Sequence, residues 1–409
     1  MTRMRGCVAA ASVLLVASLA AACGDDDGGS GGDTGVITIG VSVGLTGHSA
    51  SLFGEASKVA PAWEKYINAQ GGIAGHQVKV LVEDSKSDPA SGLTVVRNFV
   101  ENDKVAAVMN LDNQAASSVA QYLQDKGVPM LGTIFDQAFV DKPNITYVTT
   151  SVTGYSRGAV LAAKLEGAKF GVMYCTESPA CASAADIYES AASDIGVDFA
   201  GKTPINGSAP NYTAQCLSLM GEGADYIEVD TAAAVQVRVA ADCLNQGYEG
   251  VFGGTSSTVV LSEYAKVKGS TWMGTLDAFP WWVDSPAVNA YRDAMAEYGP
   301  DVKYESASAS SVWTQLQLFA KALGENPGSG DTPTPEDVIA AYGKVKDETL
   351  DGLLAQPVTI TEGEPVEAPT CSWIFKYTAG DEQPTILHPD GPSGNDQDGA
   401  LASSCPPMS

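Results

Sequence analysis

The chain has 409 residues, 44% of them hydrophobic, a globular composition long enough for two domains that each bury a core. Acids outnumber bases 49 to 23, a formal charge of -26, so no nucleic-acid partner is expected, because phosphate binding needs a basic face. His48, His76 and His388 are isolated, and His-Glu-x-x-His, Gly-x-Ser-x-Gly, Walker A and Gly-x-Gly-x-x-Gly patterns are missing, so no enzyme, metal or cofactor is expected. A secreted hydrolase whose triad is assembled from distant residues is the remaining enzyme reading.

Residues 1–22 carry Arg3, Arg5 and an apolar run from Val8 to Ala22, the pattern of an export signal. The "LAAAC" that follows resembles a bacterial lipobox, with Ala20 where leucine is usual. This implies lipidation of Cys23 and anchoring on the outer face of the cell membrane. Residues 23–35 then form a glycine- and aspartate-rich tether. No later apolar run is long enough to span a bilayer.

Residues 36–43 ("VITIGVSV") read as a strand. Val59, Trp63, Tyr66 and Ile67 give the next segment one apolar helical face. Gly71, Gly72 and Gly75 end that helix, since glycine tolerates positive φ. Val78, Val80 and Val82 alternate as a strand buried mainly on one face. Asp88-Pro89 predicts a cap and first helical position, followed by Leu93, Val96 and Val100 at helical spacing. Strand, helix and strand continue at 105–109, 117–126 and 128–131. The polar run "TTSVTGYSRG" at 149–158 suits a crossing between lobes. A second block then repeats the rhythm: strand 169–174, helix 182–195, strand 225–230, helix 232–245 and strand 250–254. Helical patterns follow at 288–298 and 307–323, and "CSWIFKY" leads into strands and a loose tail. The order implies parallel α/β units in two lobes.

"ITIGVSVGLTGHSASLFGEA", "INAQGGIAGHQVKVLVEDSKSDP" and "NDKVAAVMN", taken in order with Asp84 and Asp88-Pro89, resemble the type I periplasmic-binding family, in its branched-chain amino-acid receptor group. The resemblance runs from about Val36 to Leu323. It implies two Rossmann-like lobes joined by three chain crossings. Lobe I is expected at 36–153 and 280–357, and lobe II at 154–279 and 358–409 with the tail. It further implies a small organic ligand, such as an amino acid or related compound, held in the interlobe cleft and delivered to an ABC permease and its ATPase. A ligand sensor on the same fold is the alternative.

Ligands of open α/β sheets sit beyond the carboxyl ends of the strands, and candidate contacts follow from that rule. They are Phe53, at the place of a family aromatic; Asn110, Asn113 and Gln114; Phe135 and Asp136; Asp230 and Thr231; Thr255 and Ser256; and Asp277, Trp281 and Trp282. Capping or core packing competes with ligand binding at Phe53, the asparagines and the tryptophans. In amino-acid receptors of the family an acid of the second lobe meets the ligand ammonium. Here Thr255 stands where that acid is expected, Asp136 stands where a hydroxyl is expected, and Asp230 is a possible replacement. Leucine, isoleucine and valine are therefore not the expected best ligands.

Six cysteines lie beyond Cys23, and an even set outside the cytoplasm suggests disulfides, although six allow fifteen full pairings. Cys175 with Cys181 is expected from their closeness after a strand, and Cys216 with Cys243 from two helices flanking "DYIEVD". Cys371 with Cys405 would tie down the tail.

Overall fold

The computed structural model describes residues 35–47, 49–132, 139, 141–177, 179–254, 256–389, 393–395 and 403–406. The export signal, Cys23 and nearly all of the tether lie outside these residues, as do His48, Phe135, Asp136 and Thr255.

The first layer contains β1 (Ile37–Val43), α1 (Ala50–Phe53), α2 (Val59–Ala69), β2 (Val78–Asp84), α3 (Pro89–Asn98), β3 (Ala107–Leu111), α4 (Ala116–Lys126), β4 (Met130–Gly132) and β5 (Ile145–Tyr147). Its strands are parallel in the order β2-β1-β3-β4-β5. β2 is an edge strand, which explains why Val80 and Val82 stay partly exposed while β1 is nearly all buried. The glycine joint works as the sequence predicts: Gly71 and Gly72 have φ of +97° and +79°. A Cβ on Gly72 would lie 1.9 Å from the His76 carbonyl.

The second layer contains α5 (Val152–Glu166), β6 (Phe170–Cys175), α6 (Pro179–Ile195), β7 (Phe199–Ile205), α7 (Thr213–Gly221), β8 (Tyr226–Asp230), α8 (Ala233–Asn245), β9 (Val251–Gly253), α9 (Leu261–Tyr264) and β10 (Thr271–Leu276). After α10 (Pro286–Tyr298), α11 (Ala307–Glu325) and α12 (Pro335–Tyr342), the chain adds β11 (Trp373–Thr378) and β12 (Thr385–Leu387). The second sheet runs β12-β11-β10-β9-β8-β6-β7, parallel except for the β10–β11 and β11–β12 pairs. Both sheets thus share one doubly wound order.

The run at 149–158 differs from its sequence reading. Only its first residues cross; the rest begins α5, whose cap Ser151 accepts from the Gly154 amide at 3.2 Å. Small residues let this helix pack closely: a Cβ on Gly158 would meet Thr275 on β10 at 2.6 Å. β7, α7 and α12 are further elements beyond the sequence reading.

Three crossings connect the layers, near 148–151, 277–280 and 366–371. Thr150 N donates to the Asp277 carbonyl at 3.2 Å and Ser151 N to the Pro369 carbonyl at 2.7 Å. The Thr150 hydroxyl donates to the Cys371 carbonyl. The sequence α10, α11 and α12 packs back toward the first layer, with Trp63 of α2 donating to Gln317 of α11 at 3.0 Å.

Apolar side chains cover both faces of each sheet. Val96, Phe99, Val119 and Leu123 fill the α3–α4 side of the first, and Val160, Phe170, Ala184 and Tyr188 the α5–α6 side of the second. The largest cluster runs from β1, α2 and α11 through Phe279 and Trp281 to Trp272 and α7–α8.

Disulfides join Cys175 to Cys181, Cys216 to Cys243, and Cys371 to Cys405, the pairs expected from the sequence. Cys216 and Cys243 are fully buried between α7 and α8. Replacing both by serine is expected to cost about 3 kcal/mol, because the bond closes a long loop of the unfolded chain. Urea unfolding that shows no loss in the double variant would reject this.

Candidate functional site

In each sheet the strand order reverses beside one central strand, the place where a crevice at the carboxyl ends is expected. In the first sheet the place is between β1 and β3; in the second it is between β6 and β8.

At the first crevice the loop after β1 is clamped by carboxylates. Asp84 Oδ1 accepts from Leu45 N at 2.9 Å, Thr46 N at 3.3 Å and Lys86 N at 2.8 Å, and Oδ2 accepts from the Thr46 hydroxyl at 2.9 Å. Desolvation opposes its charge, but these hydrogen bonds prevail and hold the carboxyl below its ordinary range. Ser87 carries the clamp onward, donating to the Thr46 carbonyl at 2.7 Å and accepting from Ser49 N at 3.0 Å. Asp88 caps α3 by accepting from Ser91 N at 2.8 Å. The spacing between "LTG" and "DSKSDP" therefore has a mechanical meaning.

Asp112, just after β3, accepts from the hydroxyls of Ser49 at 3.0 Å and Ser85 at 2.6 Å, and from Gln114 N at 3.0 Å. Asn110 donates to the Asp112 carbonyl at 2.9 Å, while its own buried Oδ1 has no hydrogen-bond partner among the described residues. Gln114 is half-buried and Asn113 exposed. Phe53 is 1% exposed and packs in the large apolar cluster.

The second layer brings acids together. Asp230 ends β8, and the Thr231 amide turns back to the Val229 carbonyl at 2.9 Å. Asp277 follows β10 and is buried. Its carboxylate accepts from Ser256 Oγ at 3.1 Å and from Ser311 Oγ of α11 at 3.4 Å. Burial pushes both Asp230 and Asp277 up to about 7. Tyr155 of α5 lies in the field of both, and burial followed by these charges raises its phenol well above the ordinary value. Among the described residues, the ion pairs leave both aspartates out.

Trp281 is buried, with its ring edge-on to Trp282 at 4.9 Å, and Trp282 in turn meets Phe375 of β11 at 6.2 Å. Arg292 of α10 donates to the carbonyls of Trp281 at 3.0 Å and Val283 at 2.9 Å, fixing this turn. The tryptophans thus pack along a seam, while Asp230, Asp277 and Ser256 gather with Tyr155 and Ser311. The sequence reading passed over Tyr155, Ser311 and Asp112. A signal for Ser311 existed: Ser308, Ser310, Ser311, Thr314 and Gln315 put hydroxyls and an amide into a helix flanked by apolar residues.

A sequence model of the family described as "Periplasmic binding protein" matches residues 36–382. The chain belongs to that family. This periplasmic binding protein is 22% identical over 303 residues to "Leu/Ile/Val-binding protein homolog 1" of Brucella suis, covering 71% of the chain and 79% of the relative. Its fold matches a fatty acid ABC transporter substrate-binding protein from Thermomonospora curvata with a TM-score of 0.72 at 19% identity, over 88% of this chain and 93% of that one. It also matches a branched-chain amino acid ABC transporter protein from Thermus thermophilus with bound valine, TM-score 0.73 at 16% identity, over 86% and 95%. These likenesses establish the two-layer fold of this periplasmic binding protein. Among its described residues no helix is long and apolar enough to cross a membrane.

Proposed function

We propose that this protein captures a small organic solute between its two lobes, outside the cytoplasm, and presents it to an ABC permease and its ATPase. Lipid on Cys23 would keep it at the membrane. The lobes are 36–153 with 280–357, and 154–279 with 358–409, the last boundary shifting to the crossing near 366–371 because Val358 and Ile360 bond to Glu348 and Val345 of the first lobe. The observation that carries the reading is the gathering of Asp230, Asp277, Ser256, Ser311 and Tyr155 at strand ends beside the crossings. Membership of a solute-binding family supports the same reading, and relatives named for leucine, isoleucine and valine or for fatty acids show that the fold serves more than one ligand chemistry.

Ligand class follows from charge. With two aspartates and, among the described residues, no cation paired to either, this corner favours a donor-rich or cationic group over a free carboxylate. Asn110, with Asn113 and Gln114 near it, supplies polar contacts from the first lobe, and Phe53 with Trp281 or Trp282 the apolar lining. Phe135, Asp136, Thr231 and Thr255 complete the proposed set.

The test is a thermal-shift panel of amino acids, amides, aromatic acids and polyamines on the mature protein. A ligand at about 1,000 times its Kd should add about 4 kcal/mol of stability. Compounds with a cationic or donor-rich end and an apolar part are expected to give the largest shifts, weakened in Asp230→Asn. Leucine binding at least as tightly as any of these, and unchanged in Asp230→Asn, would overturn the ligand assignment; no stabilising compound of any class would overturn solute capture.

A further inference from the structure

Glu228 sits in the middle of β8, a place where a carboxylate is costly. Its residue is 0% exposed, and neither carboxyl oxygen has a hydrogen-bond partner among the described residues. The neighbouring strand makes room for it: Gly253 is its register partner on β9, and a Cβ there would lie 2.1 Å from Glu228 Oε2. On the other side it is registered with Val172 of β6. Since side chains alternate along a strand, Tyr226, Glu228 and Asp230 share one face, the face covered by α5 and α6.

Among the described residues, the titratable groups around it give no counter-charge. From α5 comes Tyr155, and from α6 Tyr188; α9 contributes Tyr264, and β8 itself Tyr226 and Asp230. All four phenols are raised by burial and stay neutral. Arg157 of α5 is committed to Asp194 at 2.8 Å. A buried acid with no cation and a second acid two residues away keeps its proton.

We infer that Glu228 and Asp230 form a coupled pair that carries one negative charge between two carboxyls. Asp230, at the strand end, ionises first; its charge then holds the proton on Glu228 behind it. The inference rests on placing Asp230 at the ligand cleft, where the single charge of the pair then sits on Asp230 with a neutral Glu228 behind it. Once Glu228 also ionises, the proton passes to bulk buffer and the layer beneath α5 and α6 gains an uncompensated charge. Glu228 acts through Asp230 and touches no ligand, so it is a positioning residue.

The test uses ligand-free protein with carbon-13-labelled carboxyl groups, titrated by NMR from pH 4 to 9, with Glu228→Gln identifying the resonance. Glu228 is expected to remain protonated at pH 7. In Asp230→Asn it should become about tenfold more acidic or stronger, because interacting sites share their protons in two macroscopic steps. Glu228 already ionised at pH 6, or a titration midpoint unmoved in Asp230→Asn, would overturn the pairing. If Glu228→Gln does not fold, disappearance of the resonance in Glu228→Asp serves for assignment. Because no ligand is present, failure here leaves the solute-binding reading standing, and an empty ligand panel leaves the proton pair standing.

Discussion

Trp272→Ala is expected to lower stability by about 3–5 kcal/mol, the range for deleting a large buried aromatic. Trp272 is fully buried in β10, paired in register with Phe252 of β9 and Tyr377 of β11. Its ring stacks on Tyr264 at 3.9 Å between centroids and lies 5.3 Å from Phe252. Its indole N–H donates to Ser270 Oγ at 2.7 Å, so truncation also removes a buried hydrogen bond, leaving the hydroxyl only its own bond to the Val267 carbonyl at 2.6 Å. Three strands meet at this residue, and none can slide to fill the gap without breaking register. Urea unfolding measures the loss. Trp272→Phe should recover part of it; a Trp272→Ala protein within 1 kcal/mol of wild type, on the order of a surface change, would show that the β10 seam is not where the second layer draws its stability.

The second large effect is on pH. Asp230 and Asp277 have ordinary values near 3.8 and are raised by burial to about 7 in the folded chain. Between these values the folded state holds protons that the unfolded chain has released. The stability they contribute is therefore present below about pH 4 and lost as pH rises to about 7, by roughly 4 kcal/mol per group. Other carboxyls oppose this at the acid end. Asp88 is lowered by the Ser91 backbone amide, and Asp337 by the Thr334 hydroxyl; their contribution is lost as pH falls below about 4. Greatest stability is thus expected near pH 4–5, on the acid side of the usual optimum. In Asp277→Asn the decline toward pH 8 should shrink. Urea midpoints that rise steadily from pH 5 to 8 would refute the account.

Why was so much of the fold readable, and why did parts escape? Alternation and helical spacing are local, so β1, α2, β2 and α3 follow from a few valines, a tryptophan and three glycines. β7 escaped because it is an edge strand, with Lys202 and Thr203 among its residues and a partly exposed pattern; its apolar signal is thin. α7 follows a short polar loop and has only Cys216 and Leu219 buried. The start of α5 read as a crossing because its first turns are Thr, Gly, Tyr and Ser, residues whose helical role depends on packing against β10 and Thr370.

The candidate site divided along a similar line. Asp230, Asp277 and Ser256 were found by a rule about strand ends, which depends only on where strands stop. Ser311 and Tyr155 reach the same corner from α11 and α5, and that convergence is set by the crossings rather than by any local pattern. Trp281 and Phe53 carried an ambiguity inherent in aromatic side chains, and both pack among apolar neighbours. Glu228 had a visible mark, an acid in the middle of "YIEVD", whose meaning needed the glycine opposite it on β9.

The bonds of Thr150 bear on how the two lobes can move. One residue holds the Asp277 carbonyl through its amide and the Cys371 carbonyl through its hydroxyl, while the next amide holds Pro369. Three chains fastened at one level behave as a single pivot rather than as three independent springs: a pull on any of them loads the others. Sliding and stretching then break hydrogen bonds, whereas turning about the common bundle spares them. Any opening of the lobes would then be confined to one soft coordinate, an angle, and because Cys371 is covalently joined to Cys405, the last described residues of the chain would ride on the axle.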